Sequence, residues 1–244
     1  MATISANLQA VHARMAAAAR ACGRDPGDIS LIAVSKTISA DAIADAYRHG
    51  QRAFGENYVQ EALEKIAALD SPKSHVETPL GPLQSPLGAL EWHFIGPIQS
   101  NKTRVIAENF DWVHSVDRAK IAERLSAARP VALAPLEICI QVNIGGEDTK
   151  SGVAPAEVLA LARAVSSLPR LRLRGLMTVP PPTTDRAEQQ RYFAALRHLK
   201  DTLTAAGIPL DTLSMGMSAD LDAAIGEGAT LVRVGTAIFG ERNR

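Results

Sequence analysis

The feature that most constrains this chain is a short apolar segment that ends in a charge. Residues 29–36 read ISLIAVSK, and a β-branched apolar run of this length is typical of a strand buried on both faces. The lysine cannot stay in the same dry interior, so Lys36 is expected at the rim of the fold. Two interpretations are open. Lys36 extends its amine into solvent, or it stands at a pocket where desolvation lowers its pKa and allows a Schiff base with a carbonyl cofactor.

Strand-like and helix-like segments alternate along the whole chain. Strands are predicted at residues 29–36, 52–57, 91–96, 112–116, 136–143, 171–179, 212–217 and 231–234. Eight such units in 244 residues predict a closed parallel (β/α)8 barrel, a TIM barrel, with an extra N-terminal helix over residues 4–22 and a single domain over residues 1–244. An open doubly wound sheet is the competitor. The absence of a dinucleotide-type glycine fingerprint after the first strand weakens that alternative.

Helix starts and one interruption complete the outline. The predicted N-caps are Ser5, Ser39, Asn57, Asp117 and Ser218, each a short polar residue just before a helical pattern. Residues 71–89, SPKSHVETPLGPLQSPLGA, break the alternation with four prolines and two glycines. Since the alternation resumes directly behind them, they are expected to form a surface loop rather than a domain boundary.

Composition excludes several broad classes. Lysine plus arginine equal aspartate plus glutamate, 26 against 26, so no overall charge favours nucleic acid or an anionic membrane as partner. Cys22 and Cys139 suggest no disulfide framework and have no metal-ligand spacing. The N-terminal residues do not follow the pattern of a secretory signal. A cytoplasmic monomer is therefore the expectation.

The carboxyl ends of parallel barrel strands all lie on one face, so residues far apart in sequence are expected to meet there. Lys36, Asn57, His93 and Asn143 end their predicted strands, as do residues 177–179. Asn57 serves as a helix cap, as a neighbour of a bound ring, or as both. For His93, between Trp92 and Phe94, a satisfied core histidine is favoured over a ligand contact.

The last two strand-to-helix loops have the composition of a phosphate site. They read LSMGMSAD at 213–220 and RVGTAIFG at 233–240, the position where this fold commonly binds phosphate. Glycines there allow close backbone approach, hydroxyls can donate to the ligand, and helix N-termini favour anions. The residues concerned are Ser214, Gly216, Ser218, Gly235 and Thr236. Together with the Lys36 amine, they predict a ligand that carries both an aldehyde and a phosphate.

Five strings carry a resemblance to a known family. They are VSKT around Lys36, FGENYVQE at 54–61, WHFIGPIQSNK at 92–102, SMGMSADLDAAI at 214–225 and VRVGTAIFG at 232–240. In this order, over almost the whole chain, they resemble the pyridoxal phosphate homeostasis protein family. That family is similar to the N-terminal barrel of alanine racemase and eukaryotic ornithine decarboxylase. It is regarded as a non-enzymatic binder of pyridoxal 5′-phosphate concerned with vitamin B6 balance.

The resemblance implies roles for individual residues. It makes Lys36 the Schiff-base lysine and sets Arg233 opposite the pyridine nitrogen, as in alanine racemase. Gly235 and Thr236 match backbone phosphate contacts and Ser218 matches the phosphate-binding serine, with Ser214 as its neighbour. The 71–89 insertion departs from the family pattern and puts only the local path in question.

The resemblance also bears on catalysis. An arginine facing the pyridine nitrogen keeps it unprotonated, which makes the ring a poor electron sink. Racemisation needs a further acid/base group, and of the tyrosines Tyr47 and Tyr192 fall inside helices, leaving Tyr58 beside the second strand end. The expectation is a carrier that holds the cofactor as an internal aldimine and passes it to apo-enzymes. An amino-acid racemase or decarboxylase and a sugar-phosphate enzyme remain alternatives, and Lys150 is a hypothetical second amine for release.

Overall fold

Eight parallel strands close into a barrel in sequence order. The computed structural model describes residues 3–70, 77–78, 81–82, 90–146 and 151–241. Each strand pairs with the strands before and after it in the chain, and the last closes on the first. The strands are β1 Ser30–Val34, β2 Ala53–Glu56, β3 Glu91–Phe94, β4 Trp112–Val116, β5 Leu136–Gln141, β6 Leu171–Met177, β7 Thr212–Ser214 and β8 Leu231–Val234. The predicted (β/α)8 barrel with an additional N-terminal helix is confirmed.

Helices connect the strands on the outside of the barrel. They are α1 Ile4–Ala21, α2 Ala40–Arg48, α3 Val59–Asp70, α4 Thr103–Asn109, α5 Ala119–Ala128, α6 Val158–Ser166, α7 Arg186–Ala205, α8 Leu221–Gly226 and α9 Thr236–Phe239. None of the described helices is long and apolar enough to cross a membrane. Within the 71–89 insertion, Glu77–Thr78 and Gly81–Pro82 pair as a small antiparallel ribbon, and its other residues lie outside the described part.

The predicted helix starts are correct in some places and wrong in others. Ser39 caps α2 by accepting a hydrogen bond from the N–H of Ala42. By contrast, α1 is capped by Thr3 rather than by Ser5, and α5 follows Arg118 rather than Asp117. The differences are one or two residues. Thr3 supplies a side-chain cap for α1 in place of Ser5, whereas α5 begins without a side-chain cap hydrogen bond.

Side chains alternate between the helix layer and the barrel interior. In β1, Leu31 and Ala33 belong to the large apolar core between strands and helices, and the side chain of Ile32 faces the interior, toward Gly55. A separate cluster of Trp112, Cys139 and Met177 fills the barrel itself. Strands such as β1 and β4 are buried on both faces over most of their length, which explains why their sequences are largely apolar.

The additional helix α1 supports the loops that follow the last two strands. The Asn7 side-chain amide donates to the carbonyl of Ile238, at 2.8 Å. About two turns further on, the Arg14 guanidinium donates to the carbonyl of Ser218, at 2.7 Å. Because both acceptors lie in the loops expected to bind phosphate, α1 fixes the backbone of that region from outside.

Candidate functional site

Lys36 lies two residues beyond β1, at the carboxyl-terminal mouth of the barrel. Ser35 turns outward, and its hydroxyl donates to Oε1 of Glu56 at 2.6 Å. If the alternation of β1 continues through Ser35, the Lys36 side chain lies on the interior side of the barrel. The strand register places the ends of β8 and β2 on either side of the end of β1, since Ala33 pairs with Val234 and with Phe54.

An ionic group on the outer side of the barrel wall, which we call the outer cluster, holds the turn that carries Lys36. It consists of Ser35, Glu56, Glu61 and Lys65. The Lys65 amine donates to Glu56 Oε1 at 2.8 Å and to the carbonyl of Ser35 at 2.7 Å, and it pairs with Glu61. Glu61 also accepts the N–H of Thr37. The backbone immediately before and after Lys36 is thus tied to α3.

Glu56 is the member of the outer cluster whose negative charge is disfavoured by burial. Its side chain is fully buried, and burial raises its pKa, against the opposing effect of the hydrogen bonds from Lys65 and Ser35. Its second oxygen, Oε2, has no hydrogen-bond partner among the described residues. The charge of Glu56 therefore depends on Lys65.

Arg233 is buried inside the barrel with its guanidinium held by three contacts. It donates to the carbonyl of Ser214 at 2.8 Å, to the Ser214 hydroxyl at 2.6 Å and to the carbonyl of Thr178 at 2.8 Å. Burial lowers the pKa of Arg233 to about 10, so the group stays charged at neutral pH. Arginine has five N–H donors. Among the described residues, acceptors for three of them are found, and two donors remain for a ligand.

Ser214 does not lie on the rim as expected. Its side chain is fully buried, and the hydroxyl contacts Arg233 and Nδ1 of His114, the latter at 2.8 Å. The hydroxyl is therefore engaged in the barrel interior and is not positioned as a phosphate donor. We assign Ser214 to the support of Arg233.

The loops after β7 and β8 adjoin each other. The N–H of Arg233 donates to the carbonyl of Gly216 at 2.9 Å. Gly216 has φ +95°, and a Cβ there would lie 2.5 Å from Cβ of Ala224, so only glycine fits. In α9 the first intrahelical bond runs from Ile238 N–H to Gly235 O, so the N–H of Thr236 stands ahead of that turn.

Ser218 is not the N-cap of α8, contrary to the sequence-based prediction. Asp220 holds that position, and its carboxylate accepts the N–H of Met217 at 2.6 Å. Ser218 lies in the turn before the helix, two residues beyond Gly216, and its carbonyl is bound by Arg14. Its hydroxyl therefore remains a candidate ligand contact for a reason other than capping.

Asn57 also differs from its predicted role. The carbonyl of Tyr58 accepts the first bond of α3, from Ala62 N–H at 3.0 Å, so Tyr58 and not Asn57 is the cap residue. The Asn57 side-chain oxygen is buried and has no hydrogen-bond partner among the described residues. A buried polar atom without a partner, at the carboxyl end of β2, is a candidate hydrogen-bond acceptor for a ligand.

His93 is a core residue, as expected, but it is not fully satisfied, because its Nε2 has no hydrogen-bond partner among the described residues. It is buried in the barrel, stacks on Trp112 with ring centroids 5.5 Å apart, and its Nδ1 lies 2.9 Å from Nε2 of His114. Tyr58 is 57% exposed, and Lys150 lies outside the described residues.

The sequence interpretation missed two groups of supporting residues. One is the outer cluster, of which only the Glu61–Lys65 spacing of four residues on one helix was visible in the sequence. The other is His114, whose position two residues after the inward-facing Trp112 could have placed it inside the barrel.

Comparison with known proteins shows the family and the fold to which the chain belongs. The sequence matches the family described as alanine racemase, N-terminal domain, over residues 6–243. The pyridoxal phosphate homeostasis protein of Pseudomonas aeruginosa is 57% identical over 244 residues, covering 100% of this chain and 97% of that protein. PipY of Synechococcus elongatus is 39% identical. Its structure with pyridoxal phosphate bound superimposes with a TM-score of 0.75 over 94% of this chain and 100% of PipY.

PipY without pyridoxal phosphate superimposes with a TM-score of 0.81, over 98% of this chain and 100% of PipY. The similarity thus extends over almost the whole chain. The chain belongs to the pyridoxal phosphate homeostasis protein family, within the wider family of alanine racemase N-terminal domains.

Proposed function

We propose that this protein binds pyridoxal 5′-phosphate through Lys36 and holds it in reserve for other enzymes. One observation carries the proposal. Lys36 shares the carboxyl-terminal mouth of the barrel with the loops after β7 and β8, and Arg233 lies inside the barrel below this mouth, level with Ile32 of β1. An amine and a set of backbone N–H groups at the mouth, with a buried cation below them, match the aldehyde, the phosphate and the pyridine ring of a single ligand.

The residues present fit that ligand. Pyridoxal phosphate supplies an aldehyde that condenses with a primary amine, with formation of a C=N bond and release of water. Lys36 would provide the amine, on a turn held by the outer cluster. Arg233, with two donors to spare among the described contacts, would face the pyridine nitrogen and keep it unprotonated. The partnerless oxygen of Asn57 is a candidate contact to the ring.

The phosphate would lie between the last two loops. The N–H of Thr236 stands ahead of the first bond of α9, beside Gly235, and the Ser218 hydroxyl follows Gly216 by two residues. Gly216 has a positive φ and no side chain, so the backbone can turn there and approach the phosphate closely. These groups donate hydrogen bonds to an anion independently of the amine, so phosphate binding and attachment to Lys36 are separable.

Storage and delivery fit the site better than catalysis. A buried arginine at the pyridine nitrogen disfavours the electron withdrawal on which most reactions of this cofactor depend. The tyrosines are poorly placed as a second acid/base group, since Tyr47 and Tyr192 lie in α2 and α7 and Tyr58 is exposed. We therefore propose a non-catalytic cytoplasmic monomer, acting as one domain, which transfers its ligand to apo-enzymes.

The decisive experiment is reduction with borohydride after incubation with pyridoxal phosphate, followed by peptide mass analysis. We expect attachment at Lys36, complete loss of attachment in Lys36→Ala, and retention of weaker, phosphate-dependent binding in that variant. Lys120→Ala, on the exposed face of α5, is the matched control and should behave as wild type.

A second assay separates storage from catalysis. Loss of chiral purity or release of carbon dioxide from a panel of amino acids would favour the racemase or decarboxylase alternative. Transfer of the bound ligand to an apo-enzyme without either reaction would support the carrier.

A further inference from the structure

A continuous hydrogen-bonded chain crosses the barrel interior and ends on Arg233; we call it the inner chain. Arg233 donates to Oγ of Ser214 at 2.6 Å, Ser214 Oγ lies 2.8 Å from Nδ1 of His114, and His114 Nε2 lies 2.9 Å from Nδ1 of His93. At the far end, His93 Nε2 lies 3.5 Å from Oε2 of Glu91. His93, His114, Ser214 and Arg233 are each at least 95% buried.

The far end of the inner chain opens on the opposite mouth of the barrel. A cavity of about 520 Å³ lies there, among the amino-terminal ends of the strands, and Glu91, His93 and Trp112 are among its lining residues. Nε2 of His93 has no partner of hydrogen-bond geometry among the described residues. Glu91 accepts the indole N–H of Trp112 at 2.6 Å, which holds its carboxylate near the imidazole.

We propose that His114, held by His93, is a positioning residue for Arg233: through Ser214 it fixes the guanidinium that faces the pyridine nitrogen. The inference rests on the proposed function. It adds a role for a histidine pair that lies deeper in the barrel than Lys36 and the loops at its mouth.

The hydrogens of the inner chain can be assigned from its ends. Arg233 can only donate, so Ser214 Oγ accepts from it. Burial, with the neighbouring His93 and Arg233, lowers the pKa of His114 well below its usual value, so His114 is neutral and has one N–H. If the Ser214 hydroxyl donates to Nδ1 of His114, that N–H is on Nε2 and donates to Nδ1 of His93. The N–H of His93 is then on Nε2, on the side of Glu91, and each of the three hydrogen bonds between Arg233 and His93 pairs one donor with one acceptor.

The opposite assignment is unfavourable. With its hydrogen on Nδ1, His114 would donate to a Ser214 oxygen that already accepts from Arg233, and the Ser214 hydrogen would lose its acceptor. His93 would donate from Nδ1, and if neutral it would present a bare lone pair to the Glu91 carboxylate. Buried polar groups left unmatched in this way are costly. The direction of the inner chain is therefore set by the cation at one end and the carboxylate at the other.

The first test needs no ligand. Nitrogen NMR of the histidine side chains in wild-type protein should show His114 neutral, with its hydrogen on Nε2. A hydrogen on Nδ1, or on both nitrogens, would overturn the assignment and with it the proposed support of Arg233.

The second test compares affinities for pyridoxal phosphate and for an analogue with carbon in place of the ring nitrogen. We expect wild type to prefer pyridoxal phosphate by about tenfold, and His114→Leu to reduce that preference to near one. His114→Asn, whose amide oxygen can replace Nδ1 as acceptor, should recover it, and His114→Gln should not. Met177→Leu, a buried interior change outside the inner chain, is the control and should keep the wild-type ratio.

The outcomes are distinguishable. An unchanged ratio in His114→Leu, or a ratio near one in wild type, would overturn the positioning role. If His114→Leu does not fold, Ser214→Ala interrupts the same chain with a smaller change and is judged by the same ratio. Failure of the proposed function has another signature, because borohydride would then attach nothing to Lys36 in wild type.

Discussion

Two supports of different chemistry hold Lys36 and Arg233, the two basic residues of the proposed site. The outer cluster ties the Lys36 turn to α3 with buried and half-buried charges, and the inner chain holds Arg233 through a hydroxyl and two imidazoles. In the outer cluster a cation compensates a buried carboxylate, so loss of one member leaves an unpaired charge. In the inner chain, loss of one member leaves an unpaired dipole. The first support should therefore be the more sensitive to substitution and to pH.

The largest effect is expected from Lys65→Met. Methionine keeps most of the side-chain length but leaves the fully buried Glu56 without its cation, which should lower the free energy of unfolding by about 3–5 kcal/mol. Chemical denaturation at neutral pH measures this directly. Lys120→Met, on the exposed surface of α5, should change stability by less than about 0.5 kcal/mol.

A second substitution tests the cause of that loss. If the unpaired carboxylate is responsible, the double variant Lys65→Met, Glu56→Gln should recover part of the stability, because no buried charge then remains at position 56. A double variant less stable than Lys65→Met alone would show that lost packing, and not charge, accounts for the effect.

Ser214→Ala should have an intermediate effect. It removes a hydrogen bond to a buried guanidinium and leaves Nδ1 of His114 without a donor, which together should cost about 1.5–3 kcal/mol in unfolding free energy. Ser115→Ala is the matched control, since that buried hydroxyl donates to the neutral carbonyl of Gly96 and its loss should cost about 1 kcal/mol. Equal losses in the two variants would argue against a special contribution of the inner chain.

The fold was predictable from sequence because its signals are local. Trp112–Val116 and Leu231–Val234 match the predicted strands at both ends, and each strand buried on both faces shows as a continuous apolar run. The position of the candidate site within the barrel was predictable from the topology alone. The carboxyl ends of parallel strands share one face, so the convergence of Lys36 with the β7 and β8 loops needed no knowledge of side-chain contacts.

The supports of the site were not predictable in the same way. Glu56 and Lys65 lie nine residues apart, on a strand and on a helix, and only the packing of α3 against β1 and β2 reveals their contact. The sequence pattern indicates a phosphate donor at Ser214, because serine and glycine are common in phosphate-binding loops. Strand alternation, applied through Thr212 and Ser214, turns its hydroxyl inward to Arg233 instead.

The stability of wild type relative to Glu56→Gln should depend on pH, because only the wild-type side chain titrates. Burial raises the pKa of Glu56 in the folded state, so its contribution to stability is fully present below the ordinary carboxyl pKa and is lost as pH rises through the folded value. Glutamine does not titrate. Wild type should therefore lose stability relative to Glu56→Gln as pH is raised through this window. Unfolding free energies measured from pH 4 to pH 8 test the sign, and parallel curves for the two proteins would contradict it.

The smallest effect concerns the backbone of the Lys36 turn. Thr37 has φ +63°, a conformation that costs a residue with a Cβ about 1 kcal/mol, and its hydroxyl donates to the carbonyl of Lys36 at 2.7 Å. Glycine would relieve the strain but lose the hydroxyl and add freedom to the unfolded chain, so Thr37→Gly should change stability by less than about 1 kcal/mol. Alanine would lose the hydroxyl and keep the strain.

Thr37→Gly should therefore be at least as stable as Thr37→Ala, the reverse of the order found where φ is negative. Ala67→Gly, on the exposed side of α3, provides that ordinary order and should cost about 0.5–1 kcal/mol. If Thr37→Ala proves the more stable of the pair, the turn can relax out of the left-handed region, and the hold of Glu61 on the N–H of residue 37 is weaker than its contact suggests. A strained turn that resists relaxation would instead mean that the outer cluster fixes the backbone on both sides of Lys36.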